Sequence, residues 1–268
     1  MSTVLSYIVW RASPVFFTIP GVDFTVSWYS FMWALGIVLS REAGIYILKK
    51  EAFYTDKILS LFYYIVIPAI AGARLGHFIF YDPDTLLANP IKVIMPPYSG
   101  LASHGGVAGI IAGVYTYCRM NKLNFLWIID RLAIVSLLTG VAIRIGNLFN
   151  SEIVGIPTEV PWAFVFPKVD QLPRHPAQLY EALAYAVIFV ALFIVWRRRS
   201  NNLGDGFFFG AMMASLWSFR FCIETVKENQ VPFEDLLPIN MGQILSVPFL
   251  LAGLILLAYS FVKKRKTR

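Results

Sequence analysis

The sequence predicts an all-α polytopic membrane protein with about seven transmembrane helices. Of the 268 residues, 57% are hydrophobic and only 15% are charged, and long apolar runs recur along the chain. Soluble domains have about 45–50% apolar and about 25% charged residues. About 20 mainly apolar residues are enough for a helix to cross the bilayer core. Contact with lipid therefore explains the excess of apolar side chains.

The apolar runs are separated by short polar segments, which indicates a single integral membrane domain over residues 1–268. The third run is short and rich in glycine at its start. The spans are predicted near residues 24–48, 57–80, 103–119, 126–149, 177–196, 205–224 and 239–262. Three outer segments are predicted to lie at the membrane interface: residues 1–23, 81–102 and 150–176. The N-terminal segment lacks the basic start of a cleaved signal peptide.

The basic residues predict the orientation of the chain. If the C-terminus is cytoplasmic, 15 lysines and arginines fall in the cytoplasmic segments and five in the outer ones. This asymmetry follows the positive-inside rule, so the N-terminus is expected outside. The net charge of +7 then reflects topology and anionic lipid, and nucleic acid is not an expected partner.

The cysteines and histidines do not suggest a metal site or a disulfide scaffold. Cys118 and Cys222 lie in apolar runs, where packing is the expected role of a free cysteine. The three histidines, His77, His104 and His175, are far apart in the chain. Neither a metal nor a cofactor is expected.

Two glycine-rich segments carry polar side chains. In GARLGHFIFYD, residues 72–82, Arg74 and His77 lie one helical turn apart and can face one pocket, or Arg74 can extend to the headgroups. SHGGVAGIIAG, residues 103–113, begins with His104. Histidine has an ordinary pKa of about 6.5, which suits a proton acceptor, although a lone histidine also serves as a structural hydrogen-bonding group. Close helix packing is the expected role of the glycines.

The segment RIGNLFNSE, residues 144–152, places polar side chains at the end of a predicted span. Arg144, Asn147 and Asn150 recur every three residues and form one stripe on a helix, with Glu152 just after it. A capped helix end explains Asn150 and Ser151 but does not explain Arg144 and Asn147.

Two later segments add charge. In RHPAQLYE, residues 174–181, Pro176 and Gln178 fit helix initiation. The remaining polar side chains form a cluster: Arg174, His175, Tyr180 and Glu181. In SFRFCIETVKE, Arg220 and Glu224 are four residues apart, which predicts an ion pair on one helix face. Such a pair is compatible with either a structural or a functional role.

In the predicted topology all five segments lie on the outer half or at the outer end of their helices. A charged side chain at the bilayer centre costs at least about 2.5–3.5 kcal/mol, and scattered structural polarity would not favour one side. Guanidinium groups bind phosphate bidentately. The sequence therefore predicts a polar chamber that binds an anionic phospholipid headgroup.

The segments RIGNLFNSEIVG, HGGVAG, GARLGHFIFYD and RHPAQLYE closely resemble the signature stretches of bacterial prolipoprotein diacylglyceryl transferases. The resemblance covers nearly the whole chain, including VSWYSFMWALG and INMGQILSVP. The chain departs from the usual family pattern at Ile143, Leu148 and Ser151, which changes neighbours of the polar residues and leaves the polar residues themselves unchanged.

The resemblance implies an enzyme that catalyses the first step of bacterial lipoprotein maturation. It implies transfer of the diacylglyceryl group from phosphatidylglycerol to the lipobox cysteine thiol of a preprolipoprotein, with glycerol phosphate released. The implied partners are phosphatidylglycerol and preprolipoprotein signal peptides. The implied location is the bacterial cytoplasmic (inner) membrane, with the active site toward the outer leaflet.

The resemblance also implies roles for particular residues. Arg144 and Arg220 would hold the phosphate, and His104 would be the base for the thiol or its positioning partner. Catalytic roles are expected for Tyr29, His104, Arg144, Glu152 and Arg220. Phosphatidylglycerol binding is expected for Arg74, Arg144, Asn147, Asn150, Gly155, Arg220 and Glu224.

One alternative is a transporter or flippase that binds an anionic phospholipid without covalent chemistry. Such proteins often contain internal inverted repeats, and no convincing repeat is found in this sequence. A purely structural membrane subunit is the other alternative, and the one-sided clustering of arginines disfavours it.

Overall fold

The computed structural model describes residues 7–21, 24–53, 55–95, 100–228 and 239–266. These residues are mostly helical, and a helix overlaps each of the seven predicted spans. The helices are α1 (Trp28–Lys50), α2 (Thr55–Tyr81), α3 (Pro83–Ala88), α4 (Ser103–Asn121), α5 (Phe125–Asn150), α6 (Ala177–Arg199), α7 (Phe207–Ile223) and α8 (Met241–Lys266). The short helix α3 lies in the segment predicted as an outer loop.

Within the described residues, five helices are long and apolar enough to cross a membrane. They are Trp28–Lys50, Lys57–Tyr81, Phe125–Asn150, Ala177–Arg199 and Met241–Val262. This confirms the class of helical multi-pass membrane protein. Helices α4 and α7, with 19 and 17 residues, occupy the third and sixth predicted spans. The count of seven crossings and the orientation of the termini stay predictions.

Short β-strands lie in the segments outside the long helices, and the predominance of helix agrees with the predicted all-α class. They are β1 (Ile8–Val9), β2 (Val15–Ile19), β3 (Phe24–Ser27), β4 (Phe164–Val165) and β5 (Pro173–Arg174). Strands β2 and β3 form an antiparallel hairpin, and β4 pairs with β1 in parallel and with β5 in antiparallel. The first helix begins at Trp28 and not near residue 24, because the β-branched and aromatic residues before it pair as a strand.

The chain divides into two compact units. The first holds residues 1–44 and 132–268, and the second holds residues 45–131. In the second unit α2 packs against α4 through glycines. A side chain at Gly105 would collide with the carbonyl oxygen of Gly72, and one at Gly109 would collide with that of Pro68. The predicted packing role of this glycine stripe is confirmed.

In the first unit, α1 packs closely against α5. A Cβ atom at Gly36 would lie 2.8 Å from Cβ of Ala142. The hydroxyl group of Ser40 donates a hydrogen bond of 2.7 Å to the carbonyl oxygen of Val135. Helix α7 packs against both α6 and α8. These contacts place the ends of α5, α6 and α7 within one unit.

The three-stranded sheet packs against the C-terminal end of α5. Leu148, Val154, Phe164 and Phe166 form a buried apolar cluster. The indole nitrogen of Trp10 donates a hydrogen bond of 2.9 Å to the carbonyl oxygen of Leu148. The end of α5, which carries the predicted polar stripe, is thereby held against the sheet.

Candidate active site

The carboxylate of Glu181, on α6, is the centre of a buried charged cluster. Its Oε2 atom lies 3.1 Å from Nε of Arg144 on α5. Its Oε1 atom lies 3.6 Å from Nη1 of Arg220 on α7 and 3.9 Å from Nζ of Lys227. The Glu181 side chain is completely buried. Side chains far apart in the sequence therefore share one carboxylate.

A second carboxylate, that of Glu224, joins two of the same cations. Oε1 of Glu224 lies 2.8 Å from Nη2 of Arg220 and 2.6 Å from Nζ of Lys227. The ion pair predicted from the four-residue spacing is thus present. Three cations and two carboxylates leave one net positive charge on these five side chains. The Lys227 side chain is only 5% exposed, so its charge depends on these partners for compensation.

The predicted stripe on α5 extends the cluster towards Glu152. Arg144 donates a weak 3.5 Å hydrogen bond to Oδ1 of Asn147. Asn147 and Asn150 donate to the two carboxylate oxygens of Glu152, at 3.2 and 3.1 Å. Glu152 therefore orients both amides and is connected to Arg144 through Asn147.

An unusual turn brings Glu152 back towards α5. Ser151 and Ile153, on either side of it, have φ angles of 58° and 57°, which are uncommon for residues other than glycine. The backbone N–H of Glu152 donates to the carbonyl oxygen of Asn147 at 3.0 Å. The amide of Gln178 also donates to the Glu152 carbonyl oxygen. Contacts from α5 and α6 thus support this strained turn.

A glycine on α5 determines how closely Tyr29 approaches. A Cβ atom at Gly146 would lie 3.0 Å from Cδ2 of Tyr29 and 3.1 Å from its Cα atom. Gly146 precedes Asn150 by four residues, so Tyr29 packs on the face of α5 that carries Asn150. Its predicted contact with a headgroup stays a prediction.

Gly155 occupies a position with no space for a side chain. A Cβ atom there would lie 2.5 Å from Cβ of His175 and 2.6 Å from the carbonyl oxygen of Val226. The next residue, Ile156, donates its backbone N–H to the same Val226 oxygen at 3.0 Å. Gly155 therefore lets this segment dock against the one that carries Lys227. Direct contact of Gly155 with lipid stays a prediction.

Arg174 clamps the same two segments together. Its guanidinium donates to the carbonyl oxygen of Gly155 at 3.0 Å and pairs with Glu228 at 3.2 Å. Its Nε atom also donates to Asp170 at 3.0 Å, and this bond lowers the pKa of the Asp170 carboxyl below its ordinary value. Arg174 is 5% exposed, so in this structure its contacts are structural.

Arg74 and His104 lie in the second unit. Arg74 donates to the backbone carbonyls of Val93 at 2.9 Å and Lys92 at 3.1 Å, so these bonds organise the loop that follows α3. His104, at the start of α4, is exposed, and its ring lies 5.0 Å from that of Phe80. The predicted lipid-binding role of Arg74 and the proton-accepting role of His104 stay predictions.

Three side chains of the first unit make contacts in the site that the sequence did not predict. Sequence reasoning assigned Gln178 to helix initiation, but Pro176 is at the N-cap position without a side-chain cap and Gln178 bonds to Glu152. It placed Glu181 in an outer polar cluster and counted Lys227 only as an outer basic residue. Local spacing gave one signal: Lys227 follows Glu224 by three residues.

No metal centre is found among the residues that the structure describes, because no three His, Cys, Asp or Glu side chains come together suitably. Cys118 is a buried free thiol and Cys222 an exposed one. Neither cysteine belongs to the charged cluster.

These features define a class: a helical multi-pass membrane protein with a buried, ion-paired polar site between its helices. A family model for prolipoprotein diacylglyceryl transferase matches residues 14–259. The chain belongs to the prolipoprotein diacylglyceryl transferase family.

Relatives named phosphatidylglycerol–prolipoprotein diacylglyceryl transferase are similar over almost their full lengths. The one from Chloroherpeton thalassium is 41% identical over 260 residues, which cover 95% of each chain. The one from Tolumonas auensis is 40% identical over 258 residues, 96% of this chain and 99% of the relative. The one from Bacteroides fragilis is 39% identical over 276 residues, 98% of this chain and 99% of the relative.

Proposed function

We propose that this protein transfers the diacylglyceryl group of phosphatidylglycerol to the lipobox cysteine thiol of preprolipoproteins. Family membership and the names of its relatives support this activity. The structural observation that carries the proposal is the buried cluster in which Arg144, Arg220 and Lys227 surround Glu181.

The chemistry requires positive charge at the phosphate. The thiolate sulfur attacks the glycerol carbon that bears the phosphate, so a carbon–sulfur bond forms and the carbon–oxygen bond breaks. The electron pair leaves on the phosphate oxygen, and the thiol proton is released. The phosphodiester monoanion becomes a monoester that approaches a dianion at neutral pH. Cationic donors held near this oxygen stabilise the charge that develops there.

Two arginines of the cluster are suited to this task. Arg144 and Arg220 present planar guanidinium groups, which pair bidentately with phosphate oxygens. Nε of Arg220 is buried and has no hydrogen-bond acceptor among the described residues, so this N–H lacks the partner that buried donors usually have. Glu224 orients Arg220, and Asn147, Asn150 and Glu152 shape the headgroup site beside Arg144.

Two residues have supporting parts in this proposal. Tyr29 bonds to the headgroup or phosphate, and Gly146 lets it pack closely against the face of α5 that carries Asn150. Arg74 supports lipid binding by holding the loop after α3 in place through its bonds to Lys92 and Val93.

The proposed membrane arrangement has seven spans, an outer N-terminus and a cytoplasmic C-terminus. The excess of basic residues in the proposed cytoplasmic segments supports it. In the bacterial cytoplasmic membrane this arrangement places the end of α5 near the outer leaflet. Exported preprolipoproteins would then present the lipobox of their signal peptides on that side.

The proton acceptor for the thiol is a separate proposal, for which His104 is the candidate. A thiol has an ordinary pKa of about 8.5, so a base is needed near neutral pH. His104→Asn should slow transfer and remove a titrating group from the pH–rate profile. An unchanged pH profile at a reduced rate would assign His104 a positioning role.

Mass spectrometry of a lipobox peptide, incubated with the purified protein and phosphatidylglycerol, tests the activity directly. We expect a diacylglyceryl mass increase on the cysteine and none on a matched peptide with serine at that position. A folded protein that binds phosphatidylglycerol saturably but leaves the thiol unmodified would instead be a lipid transporter. None of the comparisons favours that alternative.

A further inference from the structure

We propose that Glu181 is a specificity-determining residue, which makes the cluster select the monoanionic lipid over the dianionic product. This inference rests on the proposed transferase activity. Glu181 acts through the three cations that it pairs with, and it does not contact the phosphate itself. Its function is to limit the positive charge that the departing glycerol phosphate experiences.

The charge of the cluster is the first observation. Arg144, Arg220 and Lys227 all lie within 4 Å of the Glu181 carboxylate, at 3.1, 3.6 and 3.9 Å. With Glu224 included, one net positive charge remains on these five side chains, which matches a phosphodiester monoanion. The Glu152 carboxylate is exposed and bonds to the neutral amides of Asn147 and Asn150, so solvent screens its charge from the cluster. Without Glu181 the net charge would be two, which matches a phosphate monoester dianion.

The burial of Glu181 is the second observation. Its side chain has no solvent exposure, so water screens its interactions with the three cations very little. A change of one unit charge here acts on a bound anion at close range. Because Coulomb energy is proportional to both charges, that change affects a dianion twice as strongly as a monoanion. Glu181 is therefore placed to weaken product binding more than lipid binding.

A purely structural role for Glu181 predicts the opposite outcome. If Glu181 only held the cations in place, its neutralisation would loosen them and weaken the binding of every anion. If it sets charge selectivity, neutralisation strengthens the binding of the dianion more than that of the monoanion. The sign of the change in product affinity therefore distinguishes the two roles.

The first experiment uses the unmodified protein at pH 8 and two soluble inhibitors of peptide modification. Glycerol phosphate is the dianion, and diglycerol phosphate, the deacylated headgroup, is the monoanion. We expect inhibition constants within about threefold of each other, although the dianion carries twice the charge. A preference for glycerol phosphate of about tenfold or more would overturn the proposal. Absence of any peptide modification would instead overturn the proposed transferase activity.

The second experiment compares Glu181→Gln with Glu159→Gln, an exposed control in the segment between α5 and α6. Glu181→Gln should lower the inhibition constant of glycerol phosphate about tenfold or more, with a smaller change in the KM for phosphatidylglycerol. Turnover should become limited by product release, so a burst of modified peptide should precede the steady state. Glu159→Gln should have the same inhibition constant for glycerol phosphate and the same KM for phosphatidylglycerol as the unmodified protein.

A folded Glu181→Gln protein whose inhibition by glycerol phosphate is unchanged or weaker would overturn the proposal. If that variant does not fold, Glu224→Gln removes one charge from the same cluster and must change product inhibition in the same direction. Inorganic phosphate serves as a second dianion in each assay. If net charge determines binding, the inhibition constant of inorganic phosphate should change in the same direction as that of glycerol phosphate. A change confined to glycerol phosphate would overturn the proposal.

Discussion

Replacing Arg144 by lysine separates the geometry of the guanidinium group from its charge. Arg144 uses Nε towards Glu181 at 3.1 Å and Nη1 towards Asn147 at 3.5 Å. A lysine can keep the ion pair with Glu181, but its single nitrogen cannot also present a planar pair of donors to phosphate. Charge would be retained and bidentate binding would be lost.

The expected magnitude follows from these contacts. Loss of one donor to an oxygen that gains charge typically lowers kcat about 10²–10³-fold, or about 2.7–4 kcal/mol. Folding should change little, because the ion pair with Glu181 persists. Arg144→Ala should in addition destabilise the fold by about 3 kcal/mol, the lower end of the cost of breaking a buried pair, since Arg220 and Lys227 still compensate Glu181.

The assay is the initial rate of lipobox-peptide modification, measured by mass spectrometry, together with thermal unfolding of the purified variants. Arg144→Lys should combine an almost unchanged unfolding temperature with the large loss in kcat. An Arg144→Lys enzyme whose kcat stays within about threefold of the unmodified protein would refute the bidentate role.

Two further predictions concern Gly242 and His175. A Cβ atom at Gly242 would lie 2.6 Å from Oε2 of Glu224. Gly242→Ala should therefore displace that carboxylate and slow peptide modification about 10²-fold. The control is Gly44→Ala, which should keep the full rate because the nearest atom to its Cβ position is 3.9 Å away. Burial lowers the pKa of His175 from its ordinary 6.5. The folded protein therefore binds fewer protons there than the unfolded chain, so stability should fall as the pH decreases below about 6.5. Unfolding temperatures measured from pH 8 to pH 5 should show this loss, and His175→Gln should reduce it; an equal loss in the variant would show that other groups cause it.

Parts of the site were predictable from local spacing. Arg144, Asn147 and Asn150 recur every three residues, and Arg220 and Glu224 are four apart, so helical geometry brings each set to one face. The hydrogen-bonded stripe and the ion pair agree with that reasoning. The strands near the N-terminus were not predicted, since their pairing depends on partners outside the local apolar pattern.

The role of Glu181 could not be predicted in the same way. Its nearest cations come from α5, α7 and the segment after α7, and no short-range pattern links these positions. The close contacts of Gly155 and Gly242 are also between distant segments, with His175 and Glu224 respectively. In both cases the decisive quantity is a distance across the fold.

The sequence by itself determined the membrane class, the approximate ranges of the helices and the polar faces at their ends. These properties depend on composition and on periodicity within about 20 residues. Only the tertiary structure decided that Glu181 is shared by three cations and that Lys227 completes the cluster. The physical reason is that Coulomb and packing interactions depend on separation in space, which the order of residues along separate helices does not specify.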